Sequence, residues 1–247
     1  MIPVEQWIER QLWERQPPVG RPGVMFQSWR HLLFLHWAVE PEIVHRTLPL
    51  GLSVDTHENR AWIGIVPFFM RRVRPVILPF LSSNFLELNL RTYVKDRHGV
   101  PGVWFYSLDA NDPLAVWTAR QLFGLPYRHA KMHAEERHDG ISYSCQRRGS
   151  SIVQEYQFLP SDELGEAKIG SLEFFLIERY RLFSIRGTRL LTGQVYHSPY
   201  QLRKVVVSKF DKRPFQLDGL PTPVGSPDSM LYSTGVDVTI YPVGVVR

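Results

Sequence analysis

The chain has 247 residues, 44% of them hydrophobic and 13% aromatic, which is enough to bury one large core. The formal net charge of +5 is spread along the sequence without a nucleic-acid-binding module, so we expect no nucleic-acid partner. No apolar run is long enough to span a membrane, and the N-terminus does not resemble a secretory signal. The single cysteine excludes an intramolecular disulfide. Together these features predict a cytoplasmic protein with no membrane partner.

The N-terminal segment is predicted to be a helix followed by a linker. Residues 3–16 are amphipathic, and the breaker-rich stretch "PPVGRPG" (17–23) ends the helix. We therefore treat residues 1–23 as an N-terminal helix and linker, and residues 24–247 as a single domain.

Strand patterns dominate the next part of the chain. The run "HLLFLHWAV" (31–39) is apolar and β-prone, whereas residues 40–49 suit one or two helical turns. Residues 60–70 predict a strand whose proline indicates an edge position or a bulge. Residues 85–94 and 102–110 predict two neighbouring strands joined by a turn-rich segment.

The segment from Asp112 to Phe123 is predicted to be a helix. Asp112 can cap its N-terminus, Pro113 suits the first helical position, and Gly124 ends the helical spacing of apolar residues. The rest of the chain predicts one more helix and several strands. The helix is near 172–180, and the strands are near 141–148, 152–158, 193–197, 203–209 and 235–241. Strand therefore exceeds helix.

The strand "FLELNLRTYV" (85–94) has two unlike faces. Leucines occupy one face, while Glu87, Asn89 and Arg91 occupy the other. From the pattern alone, two interpretations are open. The polar face lies in solvent, as on a half-buried strand, or it forms a polar ladder inside a closed sheet. In the second case a carboxylate, an amide and a guanidinium satisfy one another and can orient a small polar ligand.

Five stretches together resemble the YqjF-like family of uncharacterised bacterial proteins. They are "FLELNLRTYV", "PGVWFYSLDA", the pair Ala119 and Arg120, "GLPYRHAKM" (124–132) and "FLIERYRLF". That family is related to the acetoacetate decarboxylase-like superfamily. The resemblance implies a mainly β (α+β) fold, a closed antiparallel β-barrel or cone with a few peripheral helices, and an active site in its interior.

The resemblance also places the decarboxylase pattern on this sequence. The strand glutamate of that superfamily falls on Glu87, and its Gly-Arg-Glu helix segment falls on residues 119–121. Its Gly-aromatic-Pro-Lys-Lys turn falls on residues 124–128. The scaffold is similar, but the lysine pair is missing.

Tyr127 and Arg128 stand where the decarboxylases carry the lysine that condenses with a keto group. A phenol has no amine, and a guanidinium stays protonated and is a poor nucleophile. Lys131 lies about 13 Å further along an extended segment, and we expect it to be a solvated surface lysine. We therefore expect no Schiff-base chemistry.

Seven residues are candidates for the site. The candidates for catalysis are Glu87, Tyr127 and Arg128. The candidates for ligand binding are Asn89, Arg91, Arg120 and His129. A phenol and a guanidinium aimed into a pocket can hold a carboxylate or polarise a carbonyl, and Glu87 can act as acid or base if burial raises its pKa.

Three functions from different classes stay open. The first is an enzyme that acts on a keto or carboxylate compound without a Schiff-base lysine. The second is a non-catalytic protein that binds a small anionic metabolite of that kind. The third is a structural or partner-binding protein whose interior is filled by side chains, and homo-oligomerisation is also left open. No cofactor is expected, because no glycine-rich phosphate loop occurs.

Other constellations carry weaker signals. The histidines at 129, 133 and 138 lack the spacing of a metal-ligand set, so no metal is expected. Ser107 and Asp109 share one strand face, but no nucleophile elbow accompanies them. We interpret Cys145 as a buried strand cysteine.

Overall fold

The computed structural model of the protein describes residues 4–246. Five helices lie in this range: α1 (Val4–Glu14), α2 (Pro41–His45), α3 (Pro113–Phe123), α4 (Leu172–Ile177) and α5 (Arg213–Leu217). Thirteen strands join one sheet: β1 (Met25–Val39), β2 (Leu52–Val54), β3 (Ala61–Pro75), β4 (Ser83–Asp96), β5 (Pro101–Ala110), β6 (Tyr127–Arg137), β7 (Gly140–Arg147), β8 (Gln154–Gly165), β9 (Arg181–Arg186), β10 (Arg189–Tyr196), β11 (Leu202–Lys209), β12 (Ser229–Ile240) and β13 (Gly244–Val245). None of the helices between Val4 and Val246 has the length and apolar character needed to cross a bilayer.

The sheet closes partly into a ring, because β5 pairs with both β4 and β6. A second closure joins β5 to β12 through β9 and β10. The predicted mainly β fold is therefore confirmed. Two pairings, β5 with β6 and β5 with β9, are parallel rather than antiparallel. The first follows from α3, which carries the chain from β5 to β6 as a crossover connection.

Strands β1, β3 and β4 form a wall that is buried on both faces. Along β1, Leu32 and Phe34 belong to one hydrophobic core, whereas Leu33 and Leu35 belong to another. Residues 61–70 of β3 are buried without interruption. Successive side chains of a strand point to opposite faces, so a strand between two cores needs apolar residues at nearly every position.

Pro67 lies in the middle of this wall. Its strand pairs with β1 on one side and β4 on the other, so the predicted edge position is wrong. The predicted bulge is present: the register of β1 against β3 shifts between Arg30 and Leu35, around Pro67. A proline has no N–H to donate to the sheet, and an irregular pairing accommodates that loss.

Helix α3 has the boundaries that the sequence predicts. The Asp112 carboxylate accepts hydrogen bonds from the backbone N–H groups of Leu114 and Ala115, at 2.9 and 3.0 Å. Gly124 ends the helix in the left-handed conformation, with φ of 64°, and a Cβ there would lie 2.9 Å from the Ile185 carbonyl oxygen. This stop directs the chain into β6, whose first residue, Tyr127, pairs with Leu108.

The N-terminal helix packs on α4. The Trp7 ring stacks on Phe175 with 5.7 Å between centroids, and the Gln11 amide donates to the Phe174 carbonyl at 2.9 Å. The predicted helix is confirmed for residues 4–14, while its predicted first residue lies outside the described range. The division into residues 1–23 and 24–247 stays a prediction.

Candidate functional site

A cavity of about 520 Å³ lies on the face of β4 that carries Glu87, Asn89 and Arg91. Strands β1, β3 and β5 and helix α3 contribute most of its other walls. Glu87 is 3% exposed and Asn89 is 4% exposed. The interpretation that places this polar face in solvent is therefore wrong, and the ladder faces an interior space.

Glu87 is held by the phenol that opens β6. The Tyr127 hydroxyl donates to the Glu87 Oε2 at 2.6 Å, and the Asn89 amide nitrogen lies 3.5 Å from Oε1. On the backbone of the same residue, the Tyr143 hydroxyl donates to the Glu87 carbonyl oxygen at 2.8 Å. Burial raises the pKa of the Glu87 carboxyl to about 7, and the bonds from Tyr127 and Asn89 oppose that rise only in part. Near neutral pH this carboxyl can both give and take a proton.

Arg91 brings a positive charge into the same cavity. Its guanidinium lies over the rings of Phe34 and Tyr93, 5.6 and 5.8 Å from their centroids. One nitrogen donates weakly to the Leu176 carbonyl at 3.4 Å, and the buried Nε has no hydrogen-bond partner. Among the residues whose side chains the structure describes, no carboxylate forms an ion pair with it. Arg91 is close enough to Glu87 for its charge to lower the pKa of that carboxyl.

The remaining predicted site residues lie outside the cavity lining. Arg120 and Arg128 are exposed, and His129 is half-buried on β6. This corrects the expectation that the two guanidiniums point into the pocket. Alternation explains Arg128, because a strand that turns Tyr127 inward turns the next residue away. Arg120 follows Ala119, which lines the cavity, and one residue turns about 100° around a helix.

Several lining residues were not among the candidates. Gln27 and Trp29 of β1 line the cavity, and the Trp29 indole donates to the Gln27 side-chain oxygen at 2.8 Å. Tyr200 also lines it, and burial raises the pKa of its phenol. The alternating positions 25, 27 and 29 carried a strand signal that the prediction did not use, because it began the strand at residue 31.

Ser107 and Asp109 belong to a separate buried network. The Arg147 guanidinium donates to both Asp109 carboxylate oxygens, at 2.8 and 3.2 Å, and to the Ser107 hydroxyl at 2.8 Å. It also donates to the Asp218 carboxylate at 2.7 Å, and Ser107 donates to that carboxylate too. These groups satisfy one another's hydrogen bonds, and none of the four lines the cavity beside β4, so we interpret the network as structural.

The neighbouring Cys145 is buried, as interpreted, and burial raises the pKa of its thiol. Within the part of the chain that the structure describes, no three His, Cys, Asp or Glu residues form a group able to hold a metal ion.

Comparison with known sequences decides the family. The model of the DUF2071 family, described as an uncharacterised conserved protein, matches residues 26–237. The uncharacterised protein YqjF of Bacillus subtilis strain 168 is 34% identical over 223 residues, which are 89% of this chain and 91% of that one. The chain belongs to the DUF2071 family. The resemblance to YqjF-like proteins is therefore confirmed.

Solved structures place this DUF2071 chain among acetoacetate decarboxylase-like folds. The enduracididine biosynthesis enzyme MppR complexed with pyruvate has a TM-score of 0.67 and 12% identity, covering 93% of this chain and 92% of that one. An acetoacetate decarboxylase has a TM-score of 0.64 and 12% identity, covering 97% of both chains. The acetoacetate decarboxylase of Legionella pneumophila has a TM-score of 0.59 and 13% identity, covering 94% and 91%. At these identities the likeness shows the fold alone.

The part of this DUF2071 chain that the structure describes places no lysine on the cavity wall. Lys131 is exposed on β6, beyond the segment that pairs with β5. The expectation of a surface lysine at this position is confirmed.

Proposed function

We propose that the protein binds a small keto or carboxylate compound in the cavity beside β4, with Arg91 as the anion-binding residue. The observation that carries this proposal is a guanidinium on the cavity wall without an ion pair among the described residues. A buried charge is stabilised when it is paired, and a planar guanidinium matches a carboxylate with two parallel hydrogen bonds. MppR, which has a similar fold, is complexed with pyruvate in its solved structure, and this supports a ligand of that class.

The Glu87 and Tyr127 pair adds the means for proton transfer. A carboxyl with a pKa of about 7 can remove a proton next to a carbonyl and return it elsewhere. The Tyr127 phenol, bonded to that carboxyl at 2.6 Å, holds it in place. This arrangement supports enolisation, hydration or hydrolysis without a covalent amine adduct. Binding without turnover is the alternative function, and an assay for turnover distinguishes the two.

The first prediction concerns Arg91. The substitution Arg91→Ala should weaken the binding of pyruvate by about 1.5–3 kcal/mol, the range for a hydrogen bond to a charged group. Isothermal titration calorimetry measures the loss. The matched control is Arg189→Ala, which removes an exposed guanidinium outside the cavity and should leave the affinity unchanged. Equal losses in the two variants would place the anion elsewhere on the surface.

A second prediction concerns the missing lysine. Borohydride added in the presence of pyruvate or acetoacetate should trap no covalent adduct, because reduction needs an imine and none of the described lining residues is a lysine. Mass spectrometry of the intact chain and of its peptides reads the result. An adduct on Lys131 would overturn the prediction and identify a lysine that reaches the cavity from β6.

A further inference from the structure

The cavity is long as well as large. Along β4, the alternate residues Ser83, Phe85, Glu87, Asn89 and Arg91 all line it. Eight residues of strand separate the first from the last, which is about 26 Å at the usual rise of an extended chain. A volume of about 520 Å³ lies in the range of pockets that hold drug-sized ligands. A compound the size of pyruvate fills only a small part of this space.

Polar and apolar groups divide this length unequally. On β4 the ionisable and amide side chains that face the cavity are Glu87, Asn89 and Arg91, and the other polar side chain of the strand that lines it, Ser83, is a small hydroxyl at the opposite end. Toward the other end the walls are mainly apolar, with Phe85 of β4 and its cross-strand partner Met70 of β3. The polar exceptions include two serine hydroxyls, at 82 and 83, and the Gln27 amide, whose oxygen already accepts from Trp29. Placing sugar hydroxyls or phosphates against such walls would leave their hydrogen bonds unmade, which is costly. The chemistry of the cavity therefore changes from charged to apolar along one direction.

The apolar end continues to the protein surface. The loop between β3 and β4 contributes Phe80 and Leu81 to the lining, and these side chains are 77% and 53% exposed. Leu114 of α3 lines the same end and is 72% exposed. Large apolar side chains that are exposed together at a cavity entrance mark a binding surface for apolar groups. An apolar path thus leads from solvent to the charged residues of β4.

We infer that the ligand is an amphipathic carboxylate with a long apolar body, of the fatty-acyl or aryl-acyl class. Its carboxylate binds Arg91 beside Glu87, and its apolar body runs past Phe85 toward Phe80 and Leu81. The inference deepens the proposed function and rests on it for the position of the carboxylate. Beyond the proposed function, it assigns the ligand an apolar body, which the position of Arg91 alone does not indicate.

The test is a chain-length series with the whole protein. Acetate, butyrate, octanoate and dodecanoate are titrated by calorimetry below their micelle concentrations. We expect affinity to rise about fourfold for each added methylene that the walls cover, the fold-change that corresponds to ~0.8 kcal/mol per buried CH₂. Acetate or pyruvate binding as tightly as dodecanoate would overturn the inference and leave the proposed function intact.

A cavity-filling variant supplies the second measurement. Ala119→Trp puts an indole into the cavity from α3, whereas Gln121→Trp on the same helix adds it at an exposed position outside the lining. Ala119→Trp should lower the affinity for dodecanoate by about tenfold or more, because the added indole fills apolar space that the ligand would occupy. Gln121→Trp should leave that affinity unchanged. Equal effects of the two variants would contradict a ligand body beside α3. The chain-length series keeps the inference testable if Ala119→Trp does not fold.

Dodecanol separates the two proposals. If dodecanol binds as tightly as dodecanoate and Arg91→Ala changes the affinity for neither, the proposed anion site is overturned and the apolar body of the ligand is supported. If dodecanoate binds much more tightly than both dodecanol and acetate, and if Arg91→Ala removes the preference for dodecanoate over dodecanol, both proposals are supported.

Discussion

Replacing Arg147 by alanine should lower the free energy of unfolding by about 3–5 kcal/mol, the cost of breaking a buried ion pair from one side. Arg147 donates to Asp109, whose carboxylate is fully buried, and to Asp218, whose side chain is 9% exposed. Burial already raises the pKa of Asp109, and the bonds from Arg147 oppose that rise. Removing the guanidinium leaves two neighbouring carboxylates without this ion-pair partner, and the Ser107 hydroxyl donates to Asp218 rather than to the buried Asp109. Urea denaturation followed by tryptophan fluorescence measures the loss.

Two controls show whether the broken ion pairs cause the loss of stability in Arg147→Ala. Arg46→Ala removes an exposed guanidinium that pairs with Glu42 at 3.1 Å, and it should cost about 0.5 kcal/mol or less. Asp109→Asn should recover part of the loss when it is combined with Arg147→Ala, because a neutral amide costs less to bury than an unpaired carboxylate. A loss below about 1 kcal/mol for Arg147→Ala would show that the network contributes little to stability.

Locally coded features could be predicted from the sequence. Helix α3 carries its own boundaries, since Asp112 caps it and Gly124 ends it within one short segment. The alternation in β4 also placed Glu87, Asn89 and Arg91 together, because the period of a strand is a local property. The choice between solvent and interior for that face came from the resemblance and from the closure of the sheet.

Features that depend on distant partners could not be predicted. The pairing of β9 with β5 joins Val103 with Leu182 and Trp104 with Phe183, which lie far apart in the sequence, so no local pattern indicates it. Arg147 lies 38 residues beyond Asp109, and nothing near Asp109 in the sequence indicates that its partner is an arginine on β7. The same holds for the contact between Tyr127 and Glu87, which the resemblance suggested only as a shared site.

The correction at Arg128 shows a conflict between two kinds of argument. The resemblance assigned a pair of adjacent residues to the site, whereas strand alternation allows only one of two neighbours to face a cavity. Tyr127 takes the inward position because it pairs with Leu108, which also lines the cavity. His129 keeps the parity of Tyr127, but β6 pairs with β5 only as far as this residue and then continues along β7. The binding and catalytic roles of the seven candidates stay predictions.

The pH dependence of stability should reveal Glu87 directly. Burial raises the pKa of this carboxyl from 4.5 to about 7, so the folded protein holds its proton over a range in which the unfolded chain has released it. The contribution to stability is present in full below the unfolded pKa, and it is lost as pH rises through about 7. At ~1.4 kcal/mol for each pKa unit, the loss at about pH 8 amounts to about 3 kcal/mol.

The substitution Glu87→Gln should therefore stabilise the protein by about 3 kcal/mol at about pH 8, and the gain should shrink toward zero as the pH falls below the unfolded pKa. The amide keeps an oxygen that accepts from Tyr127 but carries no charge to bury. Burial lowers the pKa of His36 and His197, which makes stability rise with pH, so the difference between variant and wild type is measured rather than either profile alone. The control Glu163→Gln changes an exposed carboxyl and should give no such pH-dependent difference. A stability difference for Glu87→Gln that is the same at acid and alkaline pH would mean that Glu87 titrates normally, and with it the acid–base role of the Glu87 and Tyr127 pair would fail.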